Sequence, residues 1–410
     1  MVSKETTARK TSLMNVLWDI QKKRRYISHD DKTKIAKEFN ISRMELEGVI
    51  SFYHFFHRKD AGKYTIYLNC STISKLHDYQ AVKEAFEEEL DIKIGNVTKD
   101  GLFGFFKSSC LGLSDQETSA LINFHAFTNL TPIKVKKIIS KLRQGHSLES
   151  LCNYPKNNIQ YKPKEDKTVF FKTYKQGKAL KKLKDFTPDK IVELVKESKL
   201  SGRGGAFFPT GVKWQFCKDN ESDQKYIICN ADEGEPGTFK DRLLVDFDPH
   251  LVLEGIAIAC WACQLDTAYF FIRGEYHHQA RVMERAIQEA YAGGIFGKQG
   301  LMRGKQKFAV DCFLHRSAGA YICGEETSLL ESLEGKRGLV RYKPPLPAIE
   351  GLYGKPTVVN NVISLATIPI ILDKGSKFYA DFGMGRSKGT LPIQLAGNLK
   401  QTGLIEKAFG

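Results

Sequence analysis

The chain has no long apolar run and no recognisable secretory leader. Its most apolar stretch, Leu251 to Cys263, is too short to cross a bilayer and contains the acidic Glu254. No apolar segment typical of a signal peptide follows Met1. We therefore expect a soluble, cytoplasmic protein without a membrane span.

Paired cysteine spacings are also scarce. The nine cysteines are an odd number and are scattered along the chain, which predicts free thiols in a reducing compartment. Cys260 and Cys263 have C-x-x-C spacing, but they fall within the apolar stretch, so we interpret them as core residues.

Motifs for hydrolysis and for nucleic-acid binding are missing as well. No G-x-S-x-G occurs, and no Ser-His-Asp arrangement stands out. The net charge of +15 favours anionic partners in general. Because aromatic residues are not interleaved regularly with the basic ones, we expect no nucleic-acid partner.

Helix and strand patterns divide the chain into stretches of different character. The spacing predicts helices over residues 1–60 and a β-α-β(β)-α unit over 61–150. Residues 151–186 are rich in lysine and predict a solvated linker or a wrapping segment. From residue 187, strands and helices alternate, which predicts a mostly parallel sheet with covered faces.

The stretch Ser201–Lys213 is the most unusual in the chain. Four glycines there predict sharp turns and bare amide groups that could hold a phosphate, with Arg203 and Lys213 adding positive charge. The third glycine of the G-x-G-x-x-G fingerprint is missing, and the stretch follows a predicted helix rather than a strand. An ordinary loop therefore remains an alternative.

An acidic loop follows the predicted strand that begins at Tyr226. Asp232, Glu233 and Glu235 lie close together in it. They could accept hydrogen bonds from ribose or ribityl hydroxyls. A Mg²⁺ site and a solvated acidic turn are the alternatives.

Two later motifs complete the candidate site. Gly324-Glu325-Glu326 opens a predicted helix, whose first amides favour an anion. Tyr321 could stack on a flat ring, and the pair Asn360-Asn361 could bind an amide or an isoalloxazine edge. Taken alone, each of these has a purely structural interpretation.

The order of these motifs carries a resemblance. SGRGGAFFPTGVKW, NADEGEPGTFKDR, GAYICGEETSLLESLEGKRG and GLYGKPTVVNN together resemble the flavoprotein subunit of respiratory complex I over residues 187–410. The preceding part, with EGVISFYHFFHR and CLGLSDQE, resembles the thioredoxin-like iron–sulfur subunit. Such a fusion is most similar to the flavin-carrying diaphorase subunits of cytoplasmic NAD-reducing hydrogenases.

This resemblance implies a fold and a division into domains. It implies an α/β protein with N-terminal helices, a thioredoxin-like domain and a Rossmann-like FMN/NADH-binding domain, followed by the start of a ubiquitin-like β-grasp domain. The implied ranges are 1–60 for the helices, 61–150 for the thioredoxin-like domain, 151–186 for the linker, 187–387 for the FMN/NADH domain and 388–410 for the truncated β-grasp domain.

The resemblance also implies cofactors and their residues. FMN and NAD(H) would bind, and hydride would pass between nicotinamide and flavin without a catalytic side chain. Implied for FMN and its pocket are Gly202, Gly204, Lys213, Asn230, Asp232, Tyr321, Gly324, Glu325, Glu326, Asn360 and Asn361, and implied for the nicotinamide nucleotide are Gly205, Phe208, Glu235 and Lys343.

The implied partners are an iron–sulfur electron-transfer subunit and hydrogenase subunits. The flavoprotein subunits of complex I and of soluble formate dehydrogenases remain alternatives with the same chemistry. A non-catalytic assembly module is an alternative of another class.

Departures from the family pattern change the expected metal content. Lys75 and Ser114 stand where the [2Fe–2S] site would need cysteines, so Cys70 and Cys110 are expected to be remnants that bind no cluster. Phe207 replaces a glycine usual in the family. The C-terminal cysteine cluster is missing, which suggests a fragment or a reduced variant; a [4Fe–4S] cluster is expected only if the chain continues beyond Gly410.

Overall fold

A computed structural model describes residues 12–153, 169–170, 174–303 and 306–410. These residues form two five-stranded sheets, two short hairpins and the helices around them. The helices are α1 Leu13–Arg24, α2 His29–Glu38, α3 Arg43–Phe52, α4 Thr72–Lys75, α5 Tyr79–Leu90, α6 Pro132–Arg143, α7 Leu148–Leu151, α8 Lys178–Lys182, α9 Pro188–Glu197, α10 Thr210–Asp219, α11 Lys240–Phe247, α12 Pro249–Cys263, α13 His277–Ala292, α14 Glu326–Leu333, α15 Val362–Lys374 and α16 Ser376–Ala380. The strands are β1 Tyr64–Asn69, β2 Asn96–Val97, β3 Phe103–Ser108, β4 Ala120–Ile122, β5 His125–Phe127, β6 Tyr226–Ala231, β7 Thr267–Ile272, β8 Gly297–Arg303, β9 Gln306–Arg316, β10 Thr357–Asn361, β11 Gly383–Met384, β12 Ser387–Lys388, β13 Thr390–Leu395 and β14 Gly403–Ala408.

The N-terminal helices begin at residues that cap them. Ser28 and Ser42 each accept a hydrogen bond from the third residue of their helix, and the side chains of Asp31 and Glu45 accept one from the amide of the cap. These are reciprocal capping boxes, which satisfy amides that the helix itself leaves unbonded. Both caps agree with the Ser-x-x-Asp and Ser-x-x-Glu patterns in the sequence.

The first sheet has the strand order β2-β3-β1-β4-β5. β1 and β3 are parallel, and the other pairs are antiparallel. All six residues of β1 are buried. The helices α5 and α6 pack on one face of the strand, and the N-terminal helices, together with residues of the second sheet, cover the other. Such a fully buried strand is typical of a sheet covered on both faces.

The second sheet has the strand order β10-β6-β7-β9-β8. The first four strands are parallel, and β8 pairs antiparallel at the edge. α12, α13 and α15 cover one face, and the N-terminal helices contribute to the core on the other. The mixed α/β fold expected from the alternating pattern is confirmed. Because the strands are parallel, β6, β7 and β10 place their carboxyl ends at one edge.

The helices α12 and α15 are in backbone contact. A Cβ at Gly255 would overlap the carbonyl of Leu365, so only glycine allows this approach. Cys260 and Cys263 lie in the same core, and burial raises the pKa of both thiols. Their interpretation as packing residues is confirmed.

Part of the lysine-rich stretch lies outside the described residues, namely 154–168 and 171–173. Val169 and Phe170 are buried, and their amides donate to the carboxylate of Glu406 at 2.6 and 3.0 Å. Ala179 and Leu183 are buried in the same core. The described part of this stretch therefore packs on the second domain, which favours the wrapping segment over the solvated linker.

The chain ends in two antiparallel pairs, β11 with β12 and β13 with β14. A hairpin would suit the start of a β-grasp domain, and that assignment stays a prediction. In the part of the chain that the structure describes, no helix has the length and apolar character needed to cross a membrane.

Candidate functional site

A cleft of about 450 Å³ lies at the carboxyl ends of β6 and β10. Its size is within the range of cofactor and ligand sites. Its walls are formed by the glycine-rich loop, the start of α10, the start of α14, Lys343 and residues 346–348. The predicted site residues that line it are Gly202, Gly204, Phe208, Lys213, Asn230, Gly324, Glu325, Glu326, Lys343, Asn360 and Asn361. Four others do not line it: Gly205, Asp232, Glu235 and Tyr321.

The glycines of the loop have different roles. Only Gly205 has a left-handed φ, at +114°, so the expectation of such turns at the other three is wrong. A Cβ on Gly204 would lie 3.3 Å from the Cβ of Asn361, and one on Gly211 would lie 2.8 Å from the amide nitrogen of Lys196. Gly204 therefore allows a close approach within the cleft, and Gly211 allows α10 to pack on α9.

Arg203 does not carry its charge into the cleft, contrary to the sequence-based expectation. Its side chain is buried and donates to the hydroxyl of Tyr379 and the carbonyl of Lys388, both at 2.7 Å. Its guanidinium lies 4.6 Å from the ring centre of Phe409. Partners more than 170 residues away in the chain hold this residue, so the local motif could not reveal its direction.

Phe207 has the left-handed backbone that favours glycine. Its φ is +54°, its side chain is 49% exposed, and its ring lies 6.1 Å from that of Phe409. It also lines the cleft. The glycine that the resemblance implies at this position would agree with that backbone, which costs a non-glycine residue about 1–2 kcal/mol.

Two lysines and two glutamates form a charge cluster inside the cleft. Lys213 Nζ lies 3.1 Å from Glu326, and Lys343 Nζ lies 2.9 Å from Glu325 and 2.8 Å from Glu326. Burial alone would raise the pKa of Glu326, but the two ammonium groups outweigh it and hold the pKa below its usual value. Glu325 also caps α14 by accepting from the amides of Thr327 and Ser328.

Asparagines hold the floor of the cleft together. The Asn230 amide donates to the carbonyl of Gly324 at 2.9 Å, and Asn360 accepts from the indole of Trp214 at 2.8 Å. Asn361 caps α15 and donates to Asp241 at 2.7 Å. These amides join β6, β10, α10 and α14, so the motifs that are distant in sequence form one wall.

The acidic loop is not a solvated turn. Asp232 and Glu233 are both 7% exposed, and burial raises the pKa of Asp232 to about 7 although Arg273 opposes the shift. Glu235 is exposed and accepts from the Tyr321 hydroxyl at 2.6 Å, near the cleft rather than in it. No group of carboxylates or histidines suited to a metal occurs within the described residues, so the Mg²⁺ alternative has no support there.

Phe216 is not among the site residues predicted from the sequence. It lines the cleft, is 42% exposed, and its ring lies 6.4 Å from that of Phe208. The available signal was its spacing from Lys213, since residues three apart share a helix face. The pair presents an aromatic surface that could stack on a flat ring.

The two cysteines that the sequence predicts to be cluster remnants lie in two loops of the thioredoxin-like domain. Cys70 follows β1, and its thiol lies 2.9 Å from the carbonyl of Ser108. The Cys110 thiol lies 3.5 Å from the hydroxyl of Ser114. Ser114 thus occupies the position beside Cys110 at which the family pattern has a thiolate.

The residues of the cleft fit a flavin nucleotide. Gly202 and Gly204 leave one wall without side chains, and the ammonium groups of Lys213 and Lys343 suit a phosphate. The carboxylates of Glu325 and Glu326 can accept from polyol hydroxyls. Asp232 is buried behind Gly324, so the ribityl contact implied for it stays a prediction.

Comparison with protein families and known proteins supports this interpretation. Residues 195–370 match the Nuo51 FMN-binding domain, and residues 1–143 match the thioredoxin-like [2Fe-2S] ferredoxin family. The chain is 40% identical to the NAD-reducing hydrogenase HoxS subunit alpha of Cupriavidus necator, over 98% of this chain and 68% of that protein. It is 52% identical to an NADH-quinone oxidoreductase subunit of Rhizobium meliloti, over 58% of this chain and 57% of that protein.

A solved structure agrees. An NAD⁺-reducing [NiFe]-hydrogenase in the air-oxidized state matches with a TM-score of 0.87 and 30% identity, over 98% of this chain and 68% of that one. Fold and cleft together define an NAD-dependent oxidoreductase with an FMN-binding domain. More narrowly, the chain belongs to the family of flavin-carrying alpha subunits of NAD-reducing hydrogenases.

Proposed function

We propose that this chain is the NADH:acceptor oxidoreductase (diaphorase) module of an NAD-reducing hydrogenase, and that it binds FMN and NAD(H) in the cleft. The observation that carries the proposal is the convergence of four separate motifs on one cleft: the glycine-rich loop, the end of β6, the start of α14 and the end of β10. Bound FMN would accept hydride from nicotinamide and release electrons singly to iron–sulfur clusters of a partner subunit.

The side chains of the cleft would bind and orient rather than catalyse. Gly202 and Gly204 allow the backbone to approach the flavin closely, and Lys213 offers a positive charge to its phosphate. The rings of Phe208 and Phe216 offer a flat surface to the nicotinamide nucleotide. Glu235, which is exposed and accepts a hydrogen bond from Tyr321, would bind the same nucleotide.

Reconstitution tests the proposal. The purified chain is mixed with FMN, the change in flavin fluorescence is followed, and reduction of a dye by NADH is then measured. A yellow protein that reduces the dye supports the diaphorase. A chain that takes up no FMN contradicts it and supports the non-catalytic assembly module.

A substitution at Glu235 tests the nucleotide side separately. Glu235→Ala should raise the KM for NADH about 10-fold, the usual effect of losing one charge-assisted hydrogen bond, with FMN affinity unchanged. Glu221→Ala is the control, because Glu221 is exposed and precedes β6 at the opposite end of the strand. Loss of FMN with normal NADH binding would contradict the assignment.

The partner is proposed from the relatives. The alpha subunit of C. necator and the solved structure are both named as parts of NAD-reducing hydrogenases, which favours iron–sulfur and hydrogenase subunits over those of a formate dehydrogenase. Co-purification with the neighbouring subunits of a hydrogenase would test this. A chain that assembles only with complex I subunits would contradict it.

A further inference from the structure

A buried network of charges connects the cluster remnant to the cofactor cleft. Arg242, at the start of α11, donates from Nη2 to Asp115 Oδ1 at 2.6 Å, and both side chains are at most 1% exposed. Asp115 lies in the loop that begins at Cys110, in the thioredoxin-like domain. The pair therefore crosses between the two domains.

The same start of α11 holds the acidic loop. The amides of Asp241 and Arg242 donate to the two carboxylate oxygens of Glu233 at 3.2 and 3.3 Å. A carboxylate at a helix start is stabilised by the amides and by the helix dipole. Tyr276 donates to Glu233 as well, at 3.0 Å.

A second arginine, Arg273, also joins the loop at Cys110 to the acidic loop. Arg273 donates to the carbonyl of Glu233 at 2.6 Å and to the carbonyl of Cys110 at 2.7 Å. A Cβ at Gly112 would overlap the Tyr276 ring. The loop of the cluster remnant and the acidic loop thus share three supports: Arg242, Arg273 and Tyr276.

The network reaches the cleft through one asparagine. The side chain of Asp241, next to Arg242, accepts from Asn361 at 2.7 Å. Asn361 lines the cleft opposite Gly204. An unbroken series of contacts therefore runs from Asp115 through Arg242, Asp241 and Asn361 to the cofactor wall.

We propose that Asp115 is a positioning residue for the cofactor cleft: it fixes Arg242, and Arg242 fixes α11, the acidic loop and Asn361. In this chain the loop at Cys110 has Ser114 where a cluster ligand is expected, and it serves to set the geometry of the flavin site in the neighbouring domain. The cofactor part of this inference rests on the proposed FMN function, and the structural part does not.

Three variants separate positioning from plain stability. Asp115→Ala removes the carboxylate that accepts from Arg242 Nη2. Asp115→Asn keeps a carbonyl acceptor at the same place and is the conservative variant. Leu113→Ala is the structural control, since Leu113 is 4% exposed in the same loop and lies in the apolar core beside the network without bonding to it.

Hydrogen–deuterium exchange on the chain without cofactor is the first measurement. Asp115→Ala should speed exchange at the amides of residues 230–242 and around Asn361. Asp115→Asn should restore most of the protection, and Leu113→Ala should leave that region unchanged. Equal effects of Asp115→Ala and Leu113→Ala would overturn the proposal, and so would an unchanged exchange pattern. If Asp115→Ala does not fold, Asp115→Asn against Leu113→Ala gives the same comparison with a smaller expected increase.

FMN titration is the second measurement. The FMN Kd of Asp115→Ala should rise roughly 3- to 30-fold, the range expected for coupling through packed contacts, while that of Leu113→Ala stays within about 3-fold. Wild-type chain that does not bind FMN would contradict the proposed function alone, because the exchange experiment still decides the positioning role. Wild type and Asp115→Ala binding FMN equally would contradict the cofactor part of the inference.

Discussion

At position 207 the chain places a bulky residue on a backbone that favours glycine. The left-handed φ of Phe207 destabilises the folded state, and the contact of its ring with Phe409 offsets part of that destabilisation. The neighbouring Phe208 is similarly exposed but has no left-handed φ. Replacing each of these two adjacent phenylalanines by glycine removes a ring in both cases but relieves a left-handed backbone only at position 207. The difference between the two variants therefore measures the backbone strain at Phe207.

We predict that Phe207→Gly changes the free energy of unfolding by less than about 1 kcal/mol, because relief of backbone strain offsets the lost contact. Phe208→Gly should lower it by about 1 kcal/mol or more, because glycine there only adds freedom to the unfolded chain. Urea denaturation of the two variants checks this. If both variants lost the same free energy of unfolding, the proposed backbone strain at Phe207 would be wrong.

Gly211 and Gly202 allow a second comparison of two substitutions, because an added Cβ meets close backbone atoms only at Gly211. Gly211→Ala should destabilise the protein by about 1–3 kcal/mol, because its Cβ would press on the backbone of Lys196 and separate α9 from α10. At Gly202 the nearest atom, the carbonyl oxygen of Phe208, lies 3.5 Å from the added Cβ, so Gly202→Ala should be close to neutral. Thermal melts decide between these outcomes, and a neutral Gly211→Ala would refute the close packing.

Among the elements, α12 is buried along nearly its whole length, and it includes a carboxyl group. Glu254 is 1% exposed and accepts from the amide of Gly177 and, at 3.0 Å, from the hydroxyl of Tyr174. These contacts fasten the residues before α8 to the apolar helix. Burial raises the pKa of Glu254 to about 7, although both hydrogen bonds oppose the shift.

This raised pKa makes stability depend on pH. The folded state holds the proton of Glu254 more tightly than the unfolded state, so its contribution is complete below about pH 4.5 and is lost as the pH rises through 7. Glu254→Gln cannot ionise. We therefore predict that the variant gains about 1–3 kcal/mol relative to wild type between pH 5 and pH 8.

Urea denaturation at the two pH values measures this gain. Glu193→Gln on α9 is the control, because that side chain is 53% exposed. A difference between Glu254→Gln and wild type that does not change with pH would show that Glu254 is ionised throughout.

On the scale of the whole molecule, the two sheets share a core. The N-terminal helices lie between them, and their apolar residues join side chains of both sheets in one cluster. Buried charges add to this contact, as at Asp115 and Arg242. The thioredoxin-like domain is therefore held against the cofactor domain by apolar and ionic contacts together.

The predicted loss of the [2Fe–2S] cluster depends on four positions, Cys70, Lys75, Cys110 and Ser114. Because Lys75 and Ser114 replace thiolates, we predict that the reduced protein gives no [2Fe–2S] EPR signal, and that it holds no iron at these positions. Iron analysis and EPR of anaerobically purified protein check this. The double variant Lys75→Cys with Ser114→Cys is the matched comparison, and a cluster signal in the wild type would refute the prediction.

Local patterns predicted much of this structure. The capping residues at Ser28 and Ser42 and the alternation from residue 187 onward depend on neighbours in sequence, and the structure agrees with both. Most of the predicted cofactor residues line one cleft, because loops after parallel strands meet at one edge.

Contacts with residues distant in sequence determine the features that local patterns did not predict. Arg203 turns away from the cleft because Tyr379 and Lys388 accept its hydrogen bonds. Glu233 is buried because Arg273 and Tyr276 lie beside it. No local pattern contains these pairings, so the sequence could not predict the surroundings of either residue.

The contacts of Arg203 also have a mechanical consequence. One guanidinium fastens the glycine-rich loop to α16, to β12 and to the ring of Phe409 beyond β14. A force applied to the C-terminal hairpin would therefore reach the cofactor loop through Arg203 and through the contact of Phe207 with Phe409. In a pulling experiment, the hairpin and the loop would yield in one event rather than two.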